Sequence, residues 1–155
     1  MKAQTEQISP IEAKPRILVI EDELQLSRLL LIVLKRGGFA ACAAATGTDG
    51  LRLTEEQKFD LILSDIDLPD IDGFEICRRI KQNPKLRHVP IILMSGRLAE
   101  GNVALALTLG AIDYVSKPFR VETILSKISA HICGANGAPS PVRPTAKSLE
   151  NWKKD

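Results

Sequence analysis

Five polar residues are of the types that bind a hard metal ion and a phosphoryl group. Glu21 and Asp22 are adjacent carboxylates, and Asp65 is a third acidic residue that follows an apolar segment. Ser95 provides a hydroxyl group and Lys117 an ammonium group, and each of them also follows an apolar segment. Because these positions are far apart along the chain, only the fold can bring them to one place.

Together these groups would suit phosphoryl transfer. Three carboxylates at one site repel one another, and without a compensating cation at least one of them would keep its proton. A small set of oxygen ligands favours Mg²⁺, which retains several waters, over Ca²⁺. With the metal on one side and the Lys117 ammonium on the other, Asp65 would be an ionised nucleophile that forms an aspartyl phosphate. The metal, Lys117 and the Ser95 hydroxyl would then stabilise charge on the phosphoryl oxygens.

An alternation of strands and helices positions these residues. Short apolar runs predict buried strands, and apolar residues at helical spacing predict helices between them. The predicted strands are 16–20, 39–43, 59–64, 89–94 and 111–116. The predicted helices are one that starts near Leu26 and ends before Gly37, then segments near 48–57, 73–82, 99–109 and 121–132.

Strands that alternate with helices in this way form a parallel sheet with helices on both faces, so the fold class is α/β and doubly wound. Functional groups of such sheets gather outside the carboxyl ends of the strands. If the five strands have the order 2-1-3-4-5, Asp65 lies at the centre, with the acidic pair on one side and Ser95 and then Lys117 on the other. The segment 39–43 is the weakest of the strands because alanine, its main residue, is a poor strand former.

Length and composition indicate one globular domain. The chain has 155 residues, of which 45% are hydrophobic and 26% charged, and these values exclude collagen-like, disordered and disulfide-scaffold classes. We expect a flexible N-terminal segment over residues 1–15, a domain over 16–133, and a flexible tail over 134–155, which is rich in Pro, Gly and Ala.

Charge and targeting signals point to no special environment. The net charge is +2 and the segment between the two termini is neutral, so no basic face indicates direct nucleic acid binding. The longest apolar run, 29–34, is too short to cross a membrane, and the N-terminus resembles neither a signal nor a transit peptide. We therefore expect a cytoplasmic protein without membrane association. His88 and His131 are expected at the surface.

The chain resembles the receiver domain of bacterial two-component response regulators. The resemblance covers roughly residues 16–132, and the few residues beyond 133 make it most similar to single-domain, chemotaxis-regulator-like members. It implies a flavodoxin-like fold. The resemblance rests on Glu21-Asp22 after the first strand, Asp65 after the third, Ser95 after the fourth and Lys117-Pro118-Phe119 after the fifth.

The resemblance also implies a phosphoryl acceptor and a metal site. Asp65 would take a phosphoryl group from a phosphohistidine of a sensor histidine kinase or of a histidine phosphotransfer protein. Mg²⁺ would be held by Glu21, Asp22, Asp65 and the backbone carbonyl of Asp67. Lys117 would contact the phosphoryl group. The chain would not be an enzyme beyond catalysing its own phosphoryl transfer and slow autodephosphorylation.

A switch follows from the same resemblance. Ser95 and Tyr114 would reorient on phosphorylation, with the Tyr114 ring turning inward, and change a surface that binds a downstream protein. The chain would be a monomer or a weak, phosphorylation-linked dimer. The bond between Lys117 and Pro118 is expected to be cis.

Two alternatives remain beside this interpretation. Asp65-Ile66-Asp67 also fits the D-x-D motif of haloacid dehalogenase-like phosphatases, although that motif usually follows the first strand and here it follows the third. A receiver-like interaction module that never accepts phosphate is the second alternative, and the intact acidic pair, Asp65 and Lys117 disfavour it.

Overall fold

The computed structural model of the chain describes residues 13–96 and 100–135, so the segments predicted to be flexible, 1–15 and 134–155, lie almost entirely outside the described residues. The described helices include none that is long and apolar enough to cross a membrane. The strands are β1 (Arg16–Ile20), β2 (Ala40–Ala44), β3 (Leu61–Asp65), β4 (Ile91–Ser95) and β5 (Asp113–Ser116). The helices are α1 (Leu24–Arg36), α2 (Gly47–Glu56), α3 (Gly73–Gln82), α4 (Glu100–Thr108) and α5 (Val121–Ala135).

The five strands form one parallel sheet in the order β2-β1-β3-β4-β5, which confirms the predicted topology. Their register aligns the carboxyl ends of the strands. Ile20 pairs with Ser64, Asp65 pairs with Met94, and Ser95 pairs with Ser116. The residues that follow β1, β3, β4 and β5 therefore meet along one edge of the sheet.

Strand boundaries differ from the prediction mainly at the amino ends. β2 lies one residue later than predicted, and β3, β4 and β5 each start two residues later. Phe39 and Phe59 were placed inside strands, yet each precedes its strand although its side chain is buried. An aromatic side chain can be buried at the end of the core although its backbone forms no hydrogen bonds with a neighbouring strand. An apolar run in the sequence can therefore be longer than the strand that it contains.

Alternation along the strands divides the core into two layers. In β1, Ile17 and Val19 face the layer that contains Leu30 of α1 and Ile128 of α5. Leu18 and Ile20 face the layer covered by α2, α3 and α4. Successive strand side chains point to opposite faces, which accounts for this division and for the helices on both sides.

Two aspartate side chains of the loop after β3 accept backbone N–H groups at the first turns of two helices. Asp72 is the N-cap of α3, and its carboxylate accepts the Glu75 backbone N–H at 2.8 Å. The two carboxylate oxygens of Asp70 accept the backbone N–H groups of Gly47 at 2.9 Å and Thr48 at 2.7 Å, at the start of α2. Hydrogen bonds from Thr48 and from these amides lower the pKa of Asp70. The loop that follows the central strand is thereby attached to α2.

The expectation that His131 lies at the surface is wrong. Its residue is only 8% exposed, and Nε2 lies 3.3 Å from Oδ2 of Asp113. Lys127 Nζ lies 3.1 Å from Oδ1 of the same carboxylate. His131 follows Ile124 and Ile128 at helical spacing, so it belongs to the face of α5 that packs on the sheet. A single histidine gives no indication of which face of a helix it occupies.

Replacement of Asp113 by Asn should destabilise the fold in a pH-dependent way. Burial alone would raise the pKa of Asp113, but its hydrogen bond with His131 and the charge of Lys127 together hold it below its ordinary value. The stability that the carboxylate contributes is therefore present above a pH of about 4 and is lost as the pH falls through the lowered pKa. We expect Asp113→Asn to lower the free energy of unfolding by about 1–2 kcal/mol at neutral pH.

Urea unfolding at pH 7 and pH 3 measures this effect, with Glu55→Gln, at an exposed helix position, as the control. The deficit of the Asp113 variant should shrink at pH 3, whereas a deficit that is equal at both pH values would contradict the assignment.

Candidate functional site

The carboxyl edge of the sheet brings Glu21, Asp65 and Lys117 into direct contact. Lys117 Nζ donates to Oε1 of Glu21 at 2.7 Å and to Oδ2 of Asp65 at 3.1 Å. Glu21 is 2% exposed and Asp65 is 4% exposed, so both carboxylates lie below the protein surface. One ammonium group therefore serves as counter-ion for two buried carboxylates that come from different strands.

Asp22 completes a cluster of three carboxylates. Ligand oxygens of Glu21, Asp22 and Asp65 all lie within 4.8 Å of one another. Asp22 is exposed while the other two are buried, so the cluster opens to solvent on one side. Carboxylate oxygens with room for water are the ligands that Mg²⁺ prefers, and the residues present fit this ion.

The electrostatics of Glu21 and Lys117 reflect this crowding. Burial raises the pKa of Glu21, the charge of Asp65 raises it further, and the hydrogen bond from Lys117 opposes both effects. Burial alone would lower the pKa of Lys117, but its hydrogen bond to Glu21 and the charge of Asp65 raise it above the ordinary value. Lys117 therefore stays charged at neutral pH. The pKa of Glu21 is raised above its ordinary value, mainly by burial.

The main chain fixes Lys117 relative to the neighbouring strand. Its backbone N–H donates to the carbonyl oxygen of Ser95 at 2.8 Å, which joins the end of β5 to the end of β4. The bond between Lys117 and Pro118 is cis, as the resemblance to receiver domains implied. The lysine side chain thus starts beside Ser95 and crosses to Asp65 and Glu21.

Ser95, the last residue of β4, and Tyr114, within β5, form a buried hydroxyl pair. Ser95 is 1% exposed and Tyr114 is 2% exposed. Burial raises the pKa of Tyr114, while a side-chain hydrogen bond with Ser95 acts in the opposite direction. The Tyr114 ring already lies inward, within the layer covered by α2, α3 and α4.

The loop after β3 holds Asp67 and Gly73 beside the acidic cluster. The backbone N–H of Asp67 donates to Oδ1 of Asp65 at 3.3 Å, while its own side chain is exposed. The backbone N–H of Gly73 donates to the carbonyl of Ile66 at 2.9 Å. A Cβ atom at Gly73 would lie 2.5 Å from the carbonyl oxygen of Asp65, so only glycine permits this approach.

Sequence reasoning missed two residues that shape the site. Gly73 was predicted only as the first residue of a helix, and Asp70 was not among the candidate site residues. Glycine is a poor helix former, and its presence in the first turn of α3 was the available signal of a close backbone approach. Asp70 gave no signal of its own, because its partners are more than 20 residues away in sequence.

A doubly wound α/β domain with a carboxylate cluster and a lysine at the carboxyl edge of its sheet defines the class of protein. The chain belongs to the response regulator receiver domain family, which matches it over residues 17–129. It is therefore a receiver domain of two-component signal transduction, and the phosphatase alternative is not favoured.

Relatives and solved structures agree with this membership. The transcriptional regulatory protein AfsQ1 of Streptomyces coelicolor is 43% identical over 116 residues, which cover 75% of this chain and 50% of that protein. The uncharacterized transcriptional regulatory protein YkoG of Bacillus subtilis is 35% identical over 76% of this chain and 50% of its own length. The chain thus spans about half the length of these curated relatives.

Among solved structures, a CheY-like response regulator receiver domain protein from Methanospirillum hungatei has a TM-score of 0.74 and 28% identity, and the match covers 78% of this chain and 95% of that one. The flavodoxin-like fold expected from the sequence is thereby confirmed.

Gly73→Ala should destabilise the chain because the added methyl group meets the backbone of Asp65 and Ile66, which has no space to give. We expect a loss of about 1–3 kcal/mol in the free energy of unfolding, as for other overpacked sites. Gly96→Ala is the matched control, since a Cβ there would meet nothing nearer than Lys117 Cβ at 4.0 Å. Urea unfolding measures both variants, and equal stability of the two would show that the Gly73 contact is not limiting.

Proposed function

We propose that Asp65 is the phosphoryl acceptor of this receiver domain. The observation that supports the proposal is the position of its carboxylate, which is 4% exposed and lies between the acidic pair and Lys117. A carboxylate beside a fixed cation is a competent nucleophile. The phosphoryl group is taken from a phosphohistidine of a sensor histidine kinase or a histidine phosphotransfer protein, which implies a cytoplasmic reaction.

The transfer step makes one bond and breaks one bond. A carboxylate oxygen of Asp65 attacks phosphorus as the bond between phosphorus and the imidazole nitrogen breaks, and the nitrogen leaves with the electron pair. Catalysis therefore consists mainly of positioning the Asp65 carboxylate against the phosphoryl group and of stabilising charge on the phosphoryl oxygens. Hydrolysis by water later returns Asp65 to the free carboxylate.

Four oxygen donors hold Mg²⁺ in this proposal. Glu21, Asp22 and Asp65 supply carboxylate oxygens that lie within 4.8 Å of one another. Asp67 supplies its backbone carbonyl, and its amide contact with Asp65 Oδ1 keeps that residue at the cluster. When bound there, Mg²⁺ would supply positive charge at this acidic site.

Lys117 stabilises charge on the phosphoryl group from the other side. Its ammonium group lies 3.1 Å from the nucleophilic carboxylate and is held by Glu21 as well, so it is positioned before the phosphoryl group arrives. Fixed donors of this kind need no reorganisation during the reaction. Asp65 and Lys117 are the catalytic residues of this proposal, and Ser95 contributes a hydroxyl group at the next strand.

Phosphorylation is transmitted through Ser95 and Tyr114. A phosphoryl oxygen competes with the Tyr114 phenol for the Ser95 hydroxyl, so the hydrogen bond between these residues is the contact that changes. A change of one charge-assisted hydrogen bond is enough to shift the populations of two arrangements of a surface by about tenfold or more. The surface made by α4, β5 and α5 then binds a downstream protein, or a second copy as a weak dimer.

The phosphatase alternative needs Asp67 as a general acid. In that interpretation the second carboxylate of the D-x-D motif protonates the leaving group, yet Asp67 contacts Asp65 through its backbone N–H, and its side chain is exposed. The silent-module alternative fits poorly with two buried carboxylates and an exposed one that cluster beside a lysine.

Asp65→Asn should abolish covalent phosphorylation by acetyl phosphate, because the amide is not a nucleophile. Asp67→Asn is the matched control and should be labelled like the parent chain, since the proposed role of Asp67 uses its backbone only. Mass spectrometry of the intact chain and of its peptides measures the adduct and its position. Labelling of the Asp65 variant at normal stoichiometry would refute the assignment, and rapid turnover of many phosphomonoesters would favour a phosphatase.

Asp22→Ala should weaken Mg²⁺ binding by about tenfold or more and slow the labelling reaction, because one of three clustered carboxylates is lost. Glu23→Ala is the control, since this neighbouring acid lies outside the cluster. Calorimetric titration with Mg²⁺ gives the affinity, and labelling rates across the same concentrations give the kinetic effect. An unchanged titration for the Asp22 variant would remove this residue from the metal site.

A further inference from the structure

A second concave site lies at the opposite edge of the sheet from Asp65. It is a cavity of about 490 Å³ bounded by the end of α2, the residues that lead into β3, and the loop between α3 and β4. This volume is within the range of small-molecule sites. Because β3 is five residues long, the cavity lies roughly 15 Å from Asp65. Its lining residues are Thr54, Gln57, Lys58, Phe59, Asp60, Ile62, Lys85, Leu86, His88 and Val89.

The cavity combines an apolar floor with a basic rim. Phe59, Ile62 and Val89 are 8%, 1% and 5% exposed and belong to one core layer, so the floor is part of the packed interior. Lys58 and Lys85 are exposed at the rim, together with His88. Within residues 13–96 and 100–135 the side chains of these two lysines form no ion pair. Their charges are available to a ligand.

One carboxylate lines the cavity, and it is already engaged. Oδ2 of Asp60 accepts the backbone N–H of Arg16 at 2.7 Å. The guanidinium group of Arg16 stands over the Phe59 ring at 5.5 Å and hydrogen bonds to Gln57. Arg16 thus adds a positive charge next to the single acidic group, and the lining and its surroundings carry an excess of positive charge.

The wall of the cavity is held in place before any ligand binds. Lys81 Nζ donates to the carbonyl oxygens of Arg87 at 3.0 Å and Val89 at 2.7 Å, so its ammonium group ties α3 to the loop that lines the cavity. The backbone N–H groups of Leu86 and Arg87 both donate to the carbonyl of Asn83. The site is therefore formed before a ligand binds, and binding costs little conformational entropy of the protein.

We propose that this cavity binds a small carboxylate with an aromatic or branched apolar body. The apolar body lies against Phe59, Ile62 and Val89, and the carboxylate group faces Lys58 and Lys85. An anion without an apolar body leaves the floor exposed to water, and an apolar molecule without charge leaves the lysines unpaired. Both features together define the ligand class, and the site is separate from the phosphoryl acceptor.

Binding of 2-naphthoate to the full chain, followed by ¹H–¹⁵N correlation spectra, tests the proposal. Saturable shifts are expected at residues 54–62 and 85–89. 2-Naphthylmethanol, which lacks the charge, and acetate, which lacks the ring, should each bind at least about fivefold more weakly. Equal affinity for naphthoate and its neutral analogue, or shifts spread over the whole surface, would overturn the proposal.

Variants assign the two lysines. Lys58→Gln and Lys85→Gln should each weaken naphthoate binding by about fivefold, whereas Lys35→Gln on α1 should leave it unchanged. Equal binding by all three variants would show that Lys58 and Lys85 do not contact the ligand and would overturn the proposal.

Asp65→Asn should bind naphthoate like the parent chain, so this result is independent of the outcome for phosphorylation. Trp152→Ala in the full chain gives a further check, because tighter naphthoate binding would identify the chain's own C-terminal segment as the occupant and overturn a small-molecule site.

Discussion

The arrangement at the carboxyl edge depends on one ammonium group that neutralises two buried carboxylates. Lys117 contacts Glu21 from β1 and Asp65 from β3, although it lies beyond the end of β5. Removing a charge from water is costly unless a partner is close, and here the same partner serves two charges. The contact is possible only if the strands keep their register and order, because a shift by one residue would move each side chain to the other face. The site and the topology of the sheet therefore constrain each other.

The fold was largely predictable because its signals are local and repeated. Each strand is a short apolar run, the apolar residues of α1, α2 and α3 recur at helical spacing, and Asp72 with Glu75 marks the start of α3. The chemistry of the site was also accessible, since Asp65 and Lys117 directly follow or end such runs. These signals specify which segments are strands and which are helices. They also specify that the polar residues meet at the carboxyl edge of the sheet.

Other features depended on contacts that no local pattern encodes. The boundaries of β2 and β3 were misplaced because Phe39 and Phe59 are apolar and buried yet unpaired in the ladder. The burial of His131 depends on the carboxylate of Asp113 in a distant strand. The need for glycine at position 73 comes from the backbone of Asp65, which reaches it only after folding. In each case the determining partner is remote in sequence and its geometry is set by the sheet.

The carboxylate of Asp70 restricts which residues can stand in two segments, the loop after β3 and the start of α2. It accepts the main-chain N–H groups of Gly47 and Thr48, and the Thr48 side chain also hydrogen bonds to it, so position 48 contributes both an amide and a hydroxyl group. Serine keeps both donors at position 48, whereas position 70 needs a side chain of the length and charge of aspartate. Position 47 is restricted for a different reason, since a Cβ there would lie 2.4 Å from the Ile71 side chain. The start of α2 is therefore constrained by space at position 47 and by a hydrogen-bonding side chain at position 48, while the loop after β3 is constrained to an acidic residue at position 70.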